Sequence, residues 1–525
     1  MMGIHPTISI PSESLTFPLR QSAQKLPQKV AVIEPEKGGR EYSYQWLEEN
    51  SSTLAASLVK MGVEPGDPVA LWMKNSVEYI LSFYGILKAG GIVVPVSTHY
   101  GKREVSPQLK ETGAVGIITT DDLYLQPDRP LSEAAGLRFI VLDGTEGPPP
   151  GIERFSSLLK GSHRIDRSIG IDPQEVIAVL PFSSGTTGLP KAVMLTHFNI
   201  LSVLYQVVEA HEISTNDVLI NQLPFFHIYG MTLLMGSAIM TGATQVVVSS
   251  FRPVDQFLSL FETYQATLFF TVPLVLQEFC RNPKVSTMDW RYLRYINSGG
   301  APLSSEVQEK LTEITGVPVM QGYGLTEASP TTHMNPVGRI KVGSIGMSLP
   351  LTRDKIVDPE TGAELPPREV GELWIRGPQV MKGYYRNPEA TAQALVDGWL
   401  RTGDLAWKDE EGYVYIIDRL KELIKCKGLQ VAPAEIEHIL VGHPDIQDAA
   451  VIGEAHPEYG EVPVAYVVVQ DKASVSPQEI IEYAAAGLAK YKRLARVVFR
   501  ETIPRSASGK ILRRLLKNPP TQVKM

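Results

Sequence analysis

Apolar positions along the first half of the chain switch between two periods, and the switching predicts strands and helices in turn. In "SYQWLEENSSTLAASLVKMG" the residues Leu47, Leu54, Leu58 and Met61 fall near one helical face, with Ser43 as N-cap and Gly62 as stop. "DPVALWM" reads as a strand, "SVEYILSFYGILKAGG" as a helix, and "IVVPV", "VGIITT" and "RFIVLD" as further strands. Near-continuous Val/Ile runs mark strands buried on both faces, as in parallel sheets. Strands alternating with helices predict an α/β architecture. "DGTEGPPPG" reads as a loop.

Past residue 340 the texture changes. "RDKIVDPETGAELPPREVGELWIRG" has strands joined by turn residues and predicts a small β-rich subdomain. "DIQDAAVIGEAHPEYGEVPVAYVVV" predicts a hairpin and "SPQEIIEYAAAGLAKY" a helix, together a compact α+β domain of ordinary size. The charged "DRLKELIK" between the two textures is a candidate hinge.

One segment tests whether the chain meets a membrane. From Val218 to Phe251 there is no Asp, Glu, Lys or Arg, and a span needs roughly 20 apolar residues. Gly230, Gly236, Gly242 and Gln245 interrupt it, so the expectation is a buried helix followed by a buried parallel strand.

Composition narrows the class further. A length of 525 residues predicts two to four domains. The net charge of −7 at pH 7 carries no basic signature of nucleic-acid binding. Cys280 and Cys426 are the only cysteines and form no CxxC pair, which argues against a disulfide framework. The N-terminus shows no basic segment followed by an apolar core, and "VKM" is not a peroxisomal tripeptide, so a cytoplasmic enzyme is expected.

The chemistry begins at "PFSSGTTGLPKAVMLTH", Pro181 to His197. Small hydroxyls and glycines beside one lysine present many N–H and O–H donors to a ligand, and polyphosphate rewards that. It is not a Walker loop: Leu189 and Pro190 separate Gly188 from Lys191, and the flanks predict two strands rather than a strand and a helix. Alone, such a loop is equally a mobile polar hairpin. Four further segments follow in order: "NSGGAPLS", "MQGYGLTEAS", "GWLRTGDLA" and "YIIDRLKELIKCKGLQVAPAEIE", and "PRSASGKILRR" closes the series.

In order and spacing these motifs resemble the adenylate-forming superfamily over roughly residues 20–515. "PFFHIYGM" and "QGYGLTEAS" look most like the 4-coumarate–CoA ligase and fatty-acyl-CoA synthetase branch. The resemblance implies a large N-terminal domain over 1–418, built of two α/β sheets and a small β subdomain. It implies a hinge at 419–421, with Lys421 at its pivot, and a small mobile α+β domain over 422–525.

It also implies site residues. Ser183, Ser184, Gly185, Thr186, Thr187 and Lys191 match the loop on the β- and γ-phosphates of ATP. Ala192 stands where the family usually has glycine. Gly300, Ala301 and Pro302 match the turn on adenine, and Gln321, Gly322 and Tyr323 continue its wall. Thr326 matches a contact to the α-phosphate, Glu327 a carboxylate for Mg²⁺, Asp404 the ribose carboxylate and Arg419 a second ribose or phosphate contact. Lys510 matches the lysine between the α-phosphate and the acid. Lys425, Lys427 and Gly428 match the face that serves CoA, with Arg252 standing in for a cation where Ser250 occupies the usual position. His227 matches a gate at the acyl pocket. Tyr229, Gly230, Leu233, Gly299, Gly322, Gly324 and Leu325 are expected to line that pocket, its glycines leaving space for a bulky or long acid.

The implied reaction joins a carboxylic acid to CoA through acyl-AMP, with ATP, Mg²⁺ and CoA. The acid is expected to be a medium- or long-chain fatty acid, with an aryl acid as the alternative. A luciferase-like adenylating oxygenase and a carrier-protein adenylation module are the other classes. A small-molecule acid is the expected partner, with no nucleic acid and no membrane span.

Overall fold

In the computed structural model the described residues are 8–125, 136–144, 151–183, 190–426, 429–470, 475–486, 488–505 and 511–517. The chain divides into two compact units. The larger comprises Met1–Val342, Gly346–Arg353 and Ile375–Leu400; the smaller comprises Gly343–Ile345, Asp354–Trp374 and Arg401–Met525.

The larger unit is α/β and holds two nine-stranded sheets among its described residues. In the first, six parallel strands lie side by side: Val30–Glu34, Thr244–Val247, Val218–Asn221, Leu268–Thr271, Tyr295–Ser298 and Val319–Gly324. Val218–Asn221 sits between Thr244–Val247 and Leu268–Thr271. The chain therefore steps to one side of that strand and then to the other. Such a switch point opens a crevice at the carboxyl ends of the strands, where open α/β sheets bind ligands. The second sheet has a parallel core of Ile92–Pro95, Pro68–Trp72, Gly116–Thr120 and Phe139–Asp143.

The predicted helices form for the stated reasons. Ser43 caps Tyr44–Lys60 by accepting from the Trp46 N–H, and Gly62, at φ +92°, turns the chain away. Tyr44 is fully buried, and its hydroxyl donates to the Ala238 and Ala243 carbonyls at 2.9 and 2.5 Å. Left unpaired, such a group would cost about 1–3 kcal/mol.

The charge-free segment is buried, and its Thr244–Val247 strand is parallel to both neighbours. Its helix departs from expectation: Gly230–Gly236 is a π-helical turn leading into Ser237–Thr241. A side chain at Gly236 would meet Leu204 at 2.8 Å, so this bulge packs closely on the helix His197–His211. Among the described residues no helix is long and apolar enough to cross a membrane.

The smaller unit is α+β. Asp404 to Lys408, in the strand Trp399–Lys408, pair antiparallel with Val414–Arg419. A second sheet contains the predicted hairpin, Ile446–His456 against Gly460–Val469, with Arg496–Phe499 parallel to the latter. The helices Pro433–Val441 and Pro477–Ala485 cover it through Ile436, Leu440, Ile480 and Ala484. The second helix stops short of the predicted Tyr491; a glycine follows at 487, and glycine is a poor helix former.

Candidate active site

The loop quoted above joins two strands, as its flanks predict. Phe182–Ser183 enters it, Lys191–Thr196 leaves it, and Ser183 and Lys191 are direct antiparallel partners. Ser184, Gly185, Thr186 and Thr187 lie outside the described residues. Thr196 ends the outgoing strand and caps the helix His197–His211 with Asn199 in a reciprocal capping box. Ala192, next on the outgoing strand, is buried, and its carbonyl accepts from the Tyr385 N–H at 2.8 Å.

A residue absent from the sequence reading completes this end of the site. Gly383–Tyr384 is a short edge strand paired with Lys191–Thr196, Tyr384 opposite Val193. The Lys191 ammonium lies 5.0 Å from the centre of the Tyr384 ring. The Tyr384 hydroxyl donates to Glu327 Oε1 at 2.9 Å. Burial, then the Glu327 charge and the bond to it, push this phenol well above its ordinary range, with Ser183 opposing. The hydroxyl therefore stays protonated at neutral pH and acts as a donor. The signal in sequence was the "KGYY" run before "NPEAT", which carries no charge pattern of its own.

Glu327 sits in the one-turn helix Thr326–Ala328, with Thr326 beside it, and the Glu327 carbonyl accepts from the Met381 N–H. Among the described residues Glu327 forms no salt bridge, so its charge is available to a cation. No group of three or more His, Cys, Asp or Glu among those residues could hold a metal. A lone carboxylate of this kind fits Mg²⁺ that takes its remaining oxygens from phosphate and water.

The residues expected to line adenine follow the central strands. Gly299 and Gly300 leave Tyr295–Ser298, and Gly300 needs its φ of +81° to make the turn into Ala301 and Pro302. Gln321 has a scaffold role: its side chain accepts from the Leu303 N–H at 2.8 Å and so pins the far end of that turn. Gly322 pairs with Met334, and Tyr323 pairs with His333.

The expected acyl-pocket residues gather around the switch point. Tyr229 is buried, and its hydroxyl reaches the Thr271 and Asn297 carbonyls at 3.3 and 3.4 Å. A Cβ at Gly299 would lie 3.3 Å from the Tyr229 ring, and Leu233 is buried on the turn after Tyr229. His227 Nδ1 accepts from the Tyr229 N–H, so the neutral ring carries its proton on Nε2.

Two pocket assignments need correction. A Cβ at Gly230 would fall 2.3 Å from the Pro224 carbonyl oxygen, and one at Gly324 would fall 2.1 Å from that of Pro330. In the direction a side chain would take, these glycines admit neighbouring backbone and not substrate. Gly322 is also close-packed, with 3.3 Å to the His333 oxygen, and Leu325 is half-buried, its N–H bonded to the Pro330 carbonyl.

Arg252 is mostly exposed and is paired with Glu278 at 2.8 Å. In the smaller unit Asp404 and Arg419 face each other across antiparallel strands, 3.3 Å apart, with Asp404 buried. Lys421 and Lys425 are exposed, and the Lys425 N–H donates to Glu461. Lys427, Gly428 and Lys510 lie outside the described residues.

Known proteins share this sequence pattern and this fold. The family model for AMP-binding enzyme matches residues 19–385, and that for the AMP-binding enzyme C-terminal domain matches 435–510. The chain is 37% identical over 537 aligned residues to "Probable 4-coumarate--CoA ligase 1" of Dictyostelium discoideum, covering 98% of this chain and 97% of the relative. The crystal structure of ATP-bound MatB from Rhodopseudomonas palustris is 28% identical, with a TM-score of 0.86 over 96% of this chain and 98% of that one. The anthranilate CoA ligase AuaEII in complex with anthranoyl-AMP is 26% identical, with a TM-score of 0.89 over 97% of both chains.

The chain belongs to the AMP-binding enzyme family, the adenylate-forming superfamily. Within it the chain is an AMP-forming CoA ligase, an enzyme that works on a small carboxylic acid with ATP, Mg²⁺ and CoA.

Proposed function

We propose that the enzyme joins an aryl or arylpropenoic acid to CoA, in place of the fatty acid first expected. The names of the relatives support this: a 4-coumarate–CoA ligase and an anthranilate CoA ligase. The observation that carries it is a set of buried, under-satisfied polar groups at the strand ends beside the switch point. Tyr229 makes two long contacts, at 3.3 and 3.4 Å, where a hydroxyl usually reaches about 2.7–2.8 Å. Gln222 Oε1 and Asn297 Oδ1 are buried beside these strand ends without a partner among the described residues. A ring hydroxyl or amine can pair with such groups. An alkyl tail leaves each unpaired, at about 1–3 kcal/mol.

In the first half-reaction the acid's carboxylate attacks the α-phosphorus of ATP, an O–P bond forms, and pyrophosphate leaves. Two anions must meet, so cations dominate the requirement. Lys191 faces the leaving pyrophosphate, and Lys510 bridges the α-phosphate and the carboxylate. Gly300, Ala301, Pro302, Gln321, Gly322 and Tyr323 hold adenine; Asp404 and Arg419 hold the ribose; Thr326 meets the α-phosphate. Ser183, Ser184, Gly185, Thr186 and Thr187 surround the outer phosphates. Mg²⁺, held by Glu327, would neutralise charge on the phosphate oxygens. In the second half-reaction the sulfur of CoA attacks the acyl carbonyl and AMP leaves. Lys425, Lys427, Gly428 and Arg252 serve CoA, and His227 gates the acyl pocket lined by Tyr229, Leu233 and Gly299. The two steps use different faces of the region 422–525, which turns about 419–421 at Lys421 against 1–418.

The test is AMP release dependent on CoA across hydroxycinnamates, benzoates and fatty acids of graded length. The reading expects the highest kcat/KM for a ring-hydroxylated acid. A preference for saturated fatty acids would overturn it. AMP release that ignores CoA would overturn the ligase assignment.

A further inference from the structure

We propose that Tyr384 is a positioning residue for nucleotide binding, aiming the Glu327 carboxylate at Mg²⁺ and the Lys191 ammonium at phosphate from one side chain. The inference rests on the assignment of Glu327 and Lys191 to Mg²⁺ and the phosphates.

Three observations carry it. The Tyr384 hydroxyl donates to Glu327 Oε1 at 2.9 Å, which fixes the rotation of the carboxylate and leaves Oε2 for a cation. The donor is neutral, so it orients Glu327 without cancelling its charge. An arginine in the same place would do the first and defeat the second. The centre of the same ring lies 5.0 Å from Lys191 Nζ, a separation at which a ring face attracts a cation and holds it in place. Tyr384 itself has little freedom. It sits opposite Val193 on a strand edge, its N–H donates to Thr391 Oγ1 at 2.9 Å, and Thr391 in turn bonds the Asn387 carbonyl. A Cβ at the preceding Gly383, φ +145°, would meet Thr391 at 2.7 Å, which locks the approach of the strand.

Partners that orient a metal-bound carboxylate typically govern metal affinity by roughly 10–100-fold. Tyr384→Phe keeps the ring under Lys191 and removes only the donor. Tyr384→Leu removes both.

The experiment is calorimetric titration of the full chain with ATP at graded free Mg²⁺, without acid or CoA, with melting temperatures of the ligand-free variants as control. Tyr384→Phe is expected to need roughly 10–100-fold more free Mg²⁺ for half-maximal tightening of ATP binding. At saturating Mg²⁺ it should bind ATP as the wild type does. Tyr384→Leu should bind ATP about threefold or more weakly even at saturating Mg²⁺. In a Glu327→Gln background, Tyr384→Phe should change the Mg²⁺ dependence no further. Superimposable Mg²⁺ curves for wild type and Tyr384→Phe would overturn the proposal. So would a Tyr384→Phe shift that persists undiminished in Glu327→Gln. If the wild type itself binds ATP without regard to Mg²⁺, the assignment of Glu327 falls, and the proposal with it.

Discussion

Glu327 in the larger unit and Glu437 in the smaller one are both held carboxylates, and they are held in opposite ways. Glu327 accepts from a phenol that carries no charge. Glu437 accepts two bonds from the Arg513 guanidinium, at 2.7 and 2.8 Å. Arg513 also bonds Glu422 and donates to the Val451 carbonyl at 3.1 Å. All three side chains of that triad are more than four-fifths buried. A carboxylate fixed by an arginine is neutralised and can serve only the fold. One fixed by a neutral donor keeps its charge for something that arrives later. The partner's charge, more than burial, separates the structural carboxylate from the candidate ligand.

The strongest way to break the comparison is at Arg513. Arg513→Ala leaves Glu422 and Glu437 buried without their cation, which costs about 3–5 kcal/mol when one member of a buried ionic network is removed. Denaturant unfolding should show a marked fall in midpoint for the transition of the smaller unit. Replacing all three members together, Arg513→Met with Glu422→Leu and Glu437→Met, should recover most of the loss, because apolar packing of similar volume substitutes well for a buried triad. If Arg513→Ala unfolds at the wild-type midpoint, the triad does not hold the unit together.

Glu327→Gln should behave in the reverse manner. The amide oxygen still accepts from Tyr384, so the midpoint should stay within about 0.5 kcal/mol of wild type, as for changes that leave packing intact. Acyl-AMP formation, followed by pyrophosphate release in a single turnover, should fall by roughly 10²–10³-fold, the usual cost of one charge stabiliser. A large stability loss with little rate loss would move Glu327 into the structural class.

Asp404 falls between the two. Its partner is an arginine, with Arg419 Nε 3.3 Å from Oδ1, yet the proposed reaction gives it a ligand as well. Asp404→Ala should weaken ATP binding by about 1.5–3 kcal/mol, the range for hydrogen bonds to a charged group. Calorimetry that finds ATP affinity unchanged would assign Asp404 to the fold.

The contrast also explains what could be read in the sequence. The alternation of helical and strand patterns foretold the α/β unit because period and capping act over a few residues: Ser43 does cap its helix, and Lys191 does follow a strand-to-strand loop. Hydroxyls and glycines beside a lysine raised the expectation of a phosphate-type loop for the same local reason, and the structure bears on its two flanking strands. Tyr384 was invisible because its role depends on Glu327, 57 positions away, and on a two-residue edge strand that no periodicity can mark. Gly230 and Gly324 were misread as space because sequence shows that a side chain is missing but not what fills its place. In both, the filler is a carbonyl of the chain itself. The π-helical turn at Gly230–Gly236 had no signature beyond its glycines, since one extra residue per turn arises from packing.

The smallest effect sharpens the comparison with a third kind of carboxylate. Asp143 ends the strand Phe139–Asp143, partly buried, with Glu78 and Asp121 nearby and Lys37 giving partial relief. Burial, then the charge of Glu78, raises its pKa to about 6. The proposed reaction gives it no ligand, and among the described residues no arginine pairs with it. Its folded pKa lies above the unfolded one, so the folded chain favours the protonated form. The stability this contributes is full below about pH 4 and is lost as pH rises through about 6. At pH 8 the ionised group is a liability, and Asp143→Asn should remove it. The full shift would correspond to about 3 kcal/mol, but the group is partly exposed and solvent screens it, so about 1 kcal/mol is the expected gain. Urea unfolding of wild type and Asp143→Asn at pH 4 and pH 8 reads this directly. The variant should be more stable at pH 8 and show little or no advantage at pH 4. An equal gain at both pH values would mean that packing of the amide, and not the charge of the carboxylate, decides the position. A loss at pH 8 would mean that Asp143 is a paired structural carboxylate of the Glu437 kind.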